Sequence, residues 1–143
     1  MTLRSSDIQF CSAEQIARAQ QKHFYKQFKL SRASDQEQSY FLLLDAQILG
    51  TARLEPIDQA WWLRGLFIHP DYRQQGLGRK LVQRTLAQHS PCFAFALPHL
   101  DHFYTSLGFQ SIQSDQLNEA ILARFQRYVQ SKPNLKVWHN SER

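Results

Sequence analysis

Apolar and polar residues follow two different periods along this chain of 143 residues. Alternation with a period of two indicates a strand, and apolar residues three or four positions apart indicate a helix. The pattern predicts strands at 7–10, 39–44, 48–55, 60–68, 92–96, 109–112 and 135–138. It predicts helices from an N-cap at Ser12 to about Phe28, from Gly76 to about His89, at 100–107 and at 116–130. This interleaving of strands and helices predicts a mixed α/β fold.

Length and composition predict one folded domain over residues 1–143, because no repeat, low-complexity tract or linker divides the chain. Ten Phe, five Tyr and three Trp within a hydrophobic fraction of 43% are ample for a packed core. No apolar run approaches membrane-spanning length, and the first seven residues lack the apolar core of a signal peptide. The two cysteines, Cys11 and Cys92, are too few for a disulfide framework. We therefore expect no membrane span and a cytoplasmic protein.

The segment from Leu66 to Val82 carries the clearest functional signal. A short apolar strand leads through a proline-containing turn and a glycine-interrupted loop into an amphipathic helix. Such a loop leaves several backbone N–H groups unpaired at a helix N-terminus, where the partial charge is positive. Gly76 and Gly78 let the backbone approach a phosphate without an intervening Cβ atom. Three basic residues add positive charge: Arg73, Arg79 and Lys80. The segment therefore predicts a pyrophosphate cradle.

The formal net charge of +5 also suggests an anionic ligand. Nucleic acid and coenzyme A, which has three phosphate groups, both fit that description. The basic residues are spread along the chain and do not form the dense block expected of a nucleic-acid tail. The aromatic residues lie in apolar runs and are not interleaved with basic ones. We therefore interpret the charge as serving a small anionic molecule, with a nucleic-acid-binding domain as the disfavoured alternative.

The same segment resembles the central motif of the GCN5-related N-acetyltransferase (GNAT) family, a strand followed by Arg/Gln-x-x-Gly-x-Gly/Ala at the start of a helix. The motif reads here Arg73-Gln74-Gln75-Gly76-Leu77-Gly78. A second family element, Phe-Tyr-x-x-Leu-Gly-Phe, is matched by residues 103–109. The resemblance covers nearly the whole chain in element order and is sharpest over about 63–109. It implies a single mixed-sheet GNAT-like domain with flanking helices and a central sheet splayed between the strands 60–68 and 92–96.

The resemblance also implies an acetyl-CoA-dependent N-acetyltransferase and assigns roles to residues. The pantetheine arm of acetyl-CoA is expected to pair with the strand 66–68, where a backbone N–H stabilises the oxyanion. Tyr104 occupies the family position of the general acid, and a phenol is protonated at neutral pH. Its alternative role is to pack the short helix onto the sheet. The implied cofactor-binding residues are Leu66, Phe67, Ile68, Arg73, Gln74, Gln75, Gly76, Leu77, Gly78, Arg79 and Lys80.

Two positions depart from the family pattern. Many members carry a Glu on one of the two splayed strands, but the strand 60–68 contains no carboxylate here. The general base is therefore unassigned, with Glu55, His99 and His102 as candidates that also have ordinary surface roles as alternatives. Leu97 stands where members often carry an Asn that contacts pantetheine. His99 and His102 lack a third ligand at a characteristic spacing, so we predict no metal site.

The acceptor is expected to be a small-molecule or protein amine. Trp61 and Trp62 are adjacent on a predicted strand and therefore point to opposite faces. One of them is expected in the core, and the other can wall an acceptor pocket with Arg53 or Arg64, which would favour an acceptor bearing a carboxylate or phosphate. The missing base and Leu97 leave an alternative, a catalytically silent CoA- or acyl-CoA-binding module or sensor. Family members often dimerise, so a homodimer is also an expectation.

Overall fold

A computed structural model describes residues 7–31 and 33–140. Its strands are β1 (Ile8–Ser12), β2 (Gln38–Leu44), β3 (Gln47–Ile57), β4 (Ala60–Ile68), β5 (Cys92–Ala96), β6 (Gln110–Ile112) and β7 (Lys136–Asn140). Its α-helices are α1 (Arg18–Gln27), α2 (Leu77–Leu86), α3 (Asp101–Ser106) and α4 (Glu119–Val129). The strands form one mixed sheet in the order β1-β2-β3-β4-β5-β7-β6. The predicted mixed α/β fold is therefore confirmed.

Helix α1 begins later than the sequence pattern predicted. Ser12 ends β1 and precedes a single 3-10 turn, Ala13–Gln15, in which the Ser12 amide donates to Gln15 Oε1 at 2.8 Å. Ile16 then adopts an extended conformation, with φ −124° and ψ 136°, and its side chain is buried beside Tyr25 and Phe41. The prediction of one helix capped by Ser12 is therefore wrong at its N-terminal end, because burial of Ile16 takes the backbone out of the helix.

The turn between β2 and β3 explains why two strands form a hairpin here. Asp45 and Ala46 both have positive φ, 49° and 68°, as in the two-residue turns that match the twist of paired strands. Leu44 pairs with Gln47 directly across this turn. Asp58 and Gln59 repeat the arrangement between β3 and β4, with φ of 45° and 63°. The hairpin predicted around residues 45–47 is confirmed.

The chain divides into two compact units. The first comprises the residues up to Glu55 together with Arg64–Thr85, and the second comprises Pro56–Leu63 and the residues from Leu86 onward. A core cluster of the first unit contains Cys11, Ile16, Phe24, Tyr25, Phe41 and Ile48. A core cluster of the second contains Ile57, Ala60, Trp62, Phe93, Ile121 and Val137. The single domain over 1–143 stays a prediction. None of the described helices is long and apolar enough to cross a membrane.

Strand β4 belongs to both units, with Ala60–Leu63 in the second and Arg64–Ile68 in the first. It runs parallel to β5, and Trp61, Trp62 and Leu63 pair with Cys92, Phe93 and Ala94. Within the described residues this ladder ends at Leu63, whereas β4 continues to Ile68.

Candidate active site

The connection from β4 to α2 is held by His69. Its amide donates to the Leu49 carbonyl at 2.7 Å, and its Nδ1 accepts from the Asp71 amide at 3.1 Å. That second bond caps the 3-10 turn Pro70–Tyr72. Beyond the turn, Gln74 and Gly76 adopt positive φ of 65° and 77°. These two left-handed residues turn the chain into the first turn of α2, whose N–H groups have no partner within the helix.

Gly76 leaves open space at the start of α2. A Cβ atom built on this glycine meets no other atom within 4 Å. A pocket of about 430 Å³ lies here, and its lining residues are Ile8, Gln75, Gly76, Leu77, Lys80, Gln83 and Arg84. The first turn of α2 contains no acidic residue. Open backbone, a helix N-terminus and two basic side chains fit an anionic group such as pyrophosphate.

Only some of the predicted cradle residues line this pocket. Gln75, Gly76, Leu77 and Lys80 do, whereas Arg73, Gln74, Gly78 and Arg79 are not among its lining residues. Sequence reasoning missed Ile8, Gln83 and Arg84. Gln83 and Arg84 follow Lys80 at helical spacing and so share its face of α2, a signal that could have found them. Ile8 comes from β1, and no local pattern indicated it.

The Arg73 side chain folds back onto β4. Its Nε donates to the Ile68 carbonyl at 2.8 Å, and its guanidinium carbon lies 5.0 Å from the centre of the Phe67 ring. Phe67 itself packs against Phe24 and Phe28, with ring centres 6.1 and 5.0 Å apart. Arg73 therefore stabilises the C-terminal end of β4. A ligand arm that uses the Ile68 carbonyl would compete with it.

The other predicted residues of β4, Leu66 and Ile68, are half-buried like Phe67. The Ile68 side chain lies over Gly50, where a built Cβ atom would come within 2.6 Å of Ile68 Cδ1 and 3.1 Å of the Phe67 carbonyl oxygen. Gly50 therefore lets β3 approach β4 closely at this point. The side chains of Leu66, Phe67 and Ile68 pack within the protein and hold the strand in place. The backbone of these residues is therefore the part that can bind a ligand.

Tyr104 lies on α3 in the second unit and is 5% exposed. Its ring contacts Phe103, Phe109 and Trp138, with ring centres 5.1, 5.2 and 6.0 Å away. Burial, and then the charge of the Cys92 thiolate, raise the pKa of Tyr104 to about 12. Burial likewise raises the pKa of Cys92 to about 12, against a lowering by a backbone hydrogen bond from Leu63. Tyr104 is therefore protonated throughout the physiological range, as an acid must be.

Four charged side chains form a cluster in the first unit. Glu37 Oε1 lies 3.3 Å from Arg53 Nη1, and Glu37 Oε2 lies 3.8 Å from Arg64 Nε. Arg64 Nη1 also contacts Glu55 Oε1 at 3.0 Å. The Arg53 guanidinium lies against Gly65 of β4, whose φ is 65°, because a built Cβ atom there would be 2.5 Å from Arg53 Nε. Glu37 lies in a polar stretch of the sequence, and no local pattern indicates its burial.

The base candidates lie in different settings. Glu55 is paired with Arg64, and its side chain is 16% exposed. His99 lies in the 3-10 turn Pro98–Leu100 and His102 lies in α3, and both are exposed. Leu97 precedes that turn and offers no polar side chain. In the part of the chain that the structure describes, no three His, Cys, Asp or Glu side chains are placed to hold a metal ion.

The adjacent tryptophans lie on opposite faces of β4. Trp62 is buried in the core of the second unit, with the rings of Phe95 and Tyr128 at 5.1 and 5.7 Å. Trp61 is half-buried and packs its ring against His89, 4.4 Å away. The expectation that one of the two belongs to the core is therefore confirmed.

Comparison with solved structures places this fold among acetyltransferases. N-acetylglutamate synthase from Neisseria gonorrhoeae, complexed with coenzyme A and N-acetyl-glutamate, superposes with a TM-score of 0.72 at 17% identity, over 96% of this chain and 35% of that one. This chain thus spans about a third of that relative's length. A GNAT family acetyltransferase from Elizabethkingia anophelis with acetyl-CoA bound gives 0.64 at 9% identity, over 96% of this chain and 100% of that one. Escherichia coli ElaA gives 0.64 at 13%, over 94% and 99%. At these identities the similarity shows the fold alone.

The family itself is shown by sequence. A search of curated protein sequences found no match. The family model described as the acetyltransferase (GNAT) domain matches residues 35–111, more than half of the chain. The matched range contains β4, the loop with Gly76, α2 and Tyr104. The chain therefore belongs to the GNAT family, as its motifs predicted.

Proposed function

We propose that this protein transfers an acetyl group from acetyl-CoA to a primary amine by direct attack of the amine on the thioester. The observation that supports this most is the open backbone at Gly76, where φ is 77° and no atom lies within 4 Å of a built Cβ position. Lys80 and Arg84 line the pocket at that point. A helix N-terminus beside two cations is the environment that a pyrophosphate group needs.

The pantetheine arm would lie along Leu66–Ile68. The described pairing of β4 with β5 ends at Leu63, and a strand edge beyond such a ladder offers N–H and C=O groups to an extended ligand. At Ile68 the ligand would replace the Arg73 side chain, which donates to that carbonyl. An N–H of Phe67 or Ile68 is our candidate oxyanion donor. Such a donor stabilises the transition state by roughly 3–4 kcal/mol.

The reaction forms a C–N bond as the C–S bond breaks, and the electron pair of the C–S bond leaves on sulfur. We assign Tyr104 to that sulfur. Because burial raises its pKa to about 12, complete proton transfer to a thiolate with a pKa of about 8.5 is uphill by roughly 5 kcal/mol. Tyr104 would therefore act mainly as a hydrogen-bond donor that stabilises the departing thiolate, and solvent would complete the protonation.

The amine must also lose a proton. An amine with a pKa near 10.4 is neutral in only about one molecule in 10³ at pH 7, which amounts to roughly 4–5 kcal/mol. Glu55 is already paired with Arg64 at 3.0 Å, and His99 and His102 are exposed. We infer that solvent water carries the proton away and that turnover rises with pH as the free amine accumulates. The acceptor is a small-molecule or protein amine.

The same observations favour a second candidate, a CoA-binding module without catalysis. None of the three base candidates combines burial with freedom from an ion pair. The phosphate pocket would serve such a module equally well. Binding and turnover must therefore be measured separately.

The test combines a thermal shift with a thiol-release assay over an amine library. Coenzyme A at a hundredfold over its dissociation constant should stabilise the protein by about 2.7 kcal/mol. Gly76→Glu places a side chain and a negative charge in the pocket and should abolish the shift. Gly108→Glu is the matched control, because Gly108 also has positive φ, 89°, but does not line the pocket. An unmoved melting temperature in the wild type would refute the donor assignment. A shift without thiol release would favour the silent module.

A further inference from the structure

A second pocket, of about 560 Å³, lies between α1 and the segment 33–39. Helix α1 contributes two basic residues, Arg18 and Lys22, which are four positions apart and so share one face. The other contributors include three acidic residues, Glu14, Asp35 and Glu37. Among the described residues, no ion pair joins the two sets. The pocket therefore offers both signs of charge to one ligand.

Two residues of this pocket carry buried polar atoms without a hydrogen-bond partner in the described chain, Tyr25 OH and Glu37 Oε2. Tyr25 is 6% exposed and the Glu37 side chain 3%. Glu37 Oε1 is satisfied, since it accepts from the Ser34 amide at 2.8 Å and from Arg53 at 3.3 Å. Oε2 has only the Arg64 ion pair at 3.8 Å, which is beyond hydrogen-bond distance. A buried polar atom of this kind requires an explanation.

A primary ammonium group matches these two atoms. It has three N–H donors and no acceptor, whereas a carboxylate oxygen and a phenol oxygen both accept. The three donors of one ammonium group are therefore enough for both atoms, with one N–H left over. The wall with Arg18 and Lys22 matches a carboxylate in the same way.

The pocket is connected to β4 through two arginine side chains, Arg53 and Arg64, which both pair with Glu37. Glu37 contacts Arg53, and the guanidinium of Arg53 lies against Gly65. Gly65 immediately precedes Leu66–Ile68, the segment to which we assign the pantetheine arm. Glu37, the residue that would hold the amine, is thus linked through Arg53 to the residue that precedes this segment.

We propose that this pocket binds the acceptor and that the acceptor is a zwitterion, a primary amine that also carries a carboxylate, such as an amino acid or a short peptide. Its ammonium group donates to Glu37 Oε2 and Tyr25 OH, and its carboxylate accepts from Arg18 and Lys22. Glu37 is a positioning residue here, because it holds the amine before deprotonation and takes no part in bond making. The proposal rests on the proposed function.

The experiment compares each common L-amino acid with its C-terminal amide as acceptor, at saturating acetyl-CoA, with thiol release as the readout. The amide keeps the amine and lacks the carboxylate. We expect the best amino acid to have a KM at least tenfold below that of its amide, as for one lost charged hydrogen bond. The double variant Arg18→Gln/Lys22→Gln should raise the KM of the acid about tenfold and leave that of the amide unchanged. Lys26→Gln is the matched control, since Lys26 is an exposed residue of α1 that does not line the pocket.

Variants of the buried pair give the second readout. Tyr25→Phe and Glu37→Gln should raise the KM of acid and amide alike, because both ligands carry the amine, while the thermal shift with coenzyme A stays unchanged. Equal KM values for acid and amide in the wild type would overturn the zwitterion. Unchanged KM values in Arg18→Gln/Lys22→Gln, Tyr25→Phe and Glu37→Gln would show that this pocket does not bind the acceptor. The proposed acetyl transfer would be unaffected by that result. If no amine releases thiol at all, the proposed function fails and this inference fails with it.

Discussion

Gly65 allows a sharp test of how β4 is held. Gly65→Ala adds one carbon atom at a residue whose φ is 65°. That carbon would lie 2.5 Å from Arg53 Nε and 3.0 Å from its Nη2, so the guanidinium must move. Arg53 is 8% exposed and is paired with Glu37, whose side chain is 3% exposed. The substitution therefore strains the backbone and disturbs a buried ion pair.

The loss of stability is the sum of the backbone strain and the disturbed ion pair. A left-handed conformation destabilises a residue with a Cβ atom by about 1–2 kcal/mol. Displacing the Arg53 guanidinium weakens a hydrogen bond to a charged group, which contributes about 1.5–3 kcal/mol. Gly65→Ala should therefore lower the free energy of unfolding by about 2.5–5 kcal/mol. That is a large share of the roughly 5–15 kcal/mol of a typical domain.

Two other glycines provide matched controls. Gly76 has φ of 77° and open space, and Gly108 has φ of 89° with its nearest atom, Asn140 Nδ2, at an ordinary 3.5 Å. Their alanine variants should show the conformational part alone, about 1–2 kcal/mol. Urea unfolding at pH 7 measures all three variants on one scale. Substituting Arg53→Leu first should bring the effect of Gly65→Ala down to that of the controls.

Destabilisation by Gly65→Ala no greater than that by Gly76→Ala and Gly108→Ala would refute a constraint by Arg53. That result would mean that the Arg53 side chain relaxes freely and does not constrain β4 at Gly65. A large effect that persists unchanged in the Arg53→Leu background would also contradict it, because the clash would then lie with another group.

Three further predictions concern the candidate active site. Lys80→Ala should weaken the binding of coenzyme A, measured by calorimetry, by about 1–3 kcal/mol. Arg79→Ala, at the exposed neighbouring residue, should leave the binding unchanged. Equal losses of binding free energy in the two variants would contradict a specific contact of Lys80 with the ligand. Tyr104→Phe should lower kcat with little change in coenzyme A affinity, and because the pKa of Tyr104 is about 12, wild-type kcat should not fall up to about pH 11. A kcat decline centred near pH 10 would argue against this acid. Finally, Tyr104 and Cys92 have folded-state pKa values raised to about 12 from 10.0 and 9.0, so the stability they contribute below pH 9 should be lost as the pH rises towards 12. An unfolding free energy that rises over this range would contradict both shifts.

Local signals in the sequence predicted most of the fold. The spacing of apolar residues predicted the strands and helices. The glycine-containing loop between β4 and α2 was predictable because residues with positive φ and residues at a helix start both have strong preferences. Tyr104 was placed on a short helix, and α3 contains it. In each case the physical cause lies within a few residues of the effect.

The remaining features depend on contacts between residues far apart in the chain. Ile16 leaves the helical pattern because it is buried beside Tyr25 and Phe41. Arg73 binds the Ile68 carbonyl, although its position in the motif suggested a phosphate ligand. Glu37 is buried against Arg53, sixteen residues away, and nothing in the segment 31–38 distinguishes it from a solvated loop residue. Periodicity and motifs carry no information about such contacts.

Burial acts on the ionisable groups of this protein in two different ways, and the difference decides which experiments are informative. Tyr104 and Cys92 are buried as neutral groups, so Tyr104→Phe removes only a hydroxyl and its kinetic effect reports chemistry. Glu37 and Arg53 are buried as partners 3.3 Å apart, and removing one charge from a buried pair destabilises a protein by about 3–5 kcal/mol. A loss of activity in Glu37→Gln therefore mixes folding with recognition. The KM of Glu37→Gln for its amine is free of this ambiguity, since an unfolded fraction lowers the apparent kcat and leaves the KM of the folded enzyme unchanged.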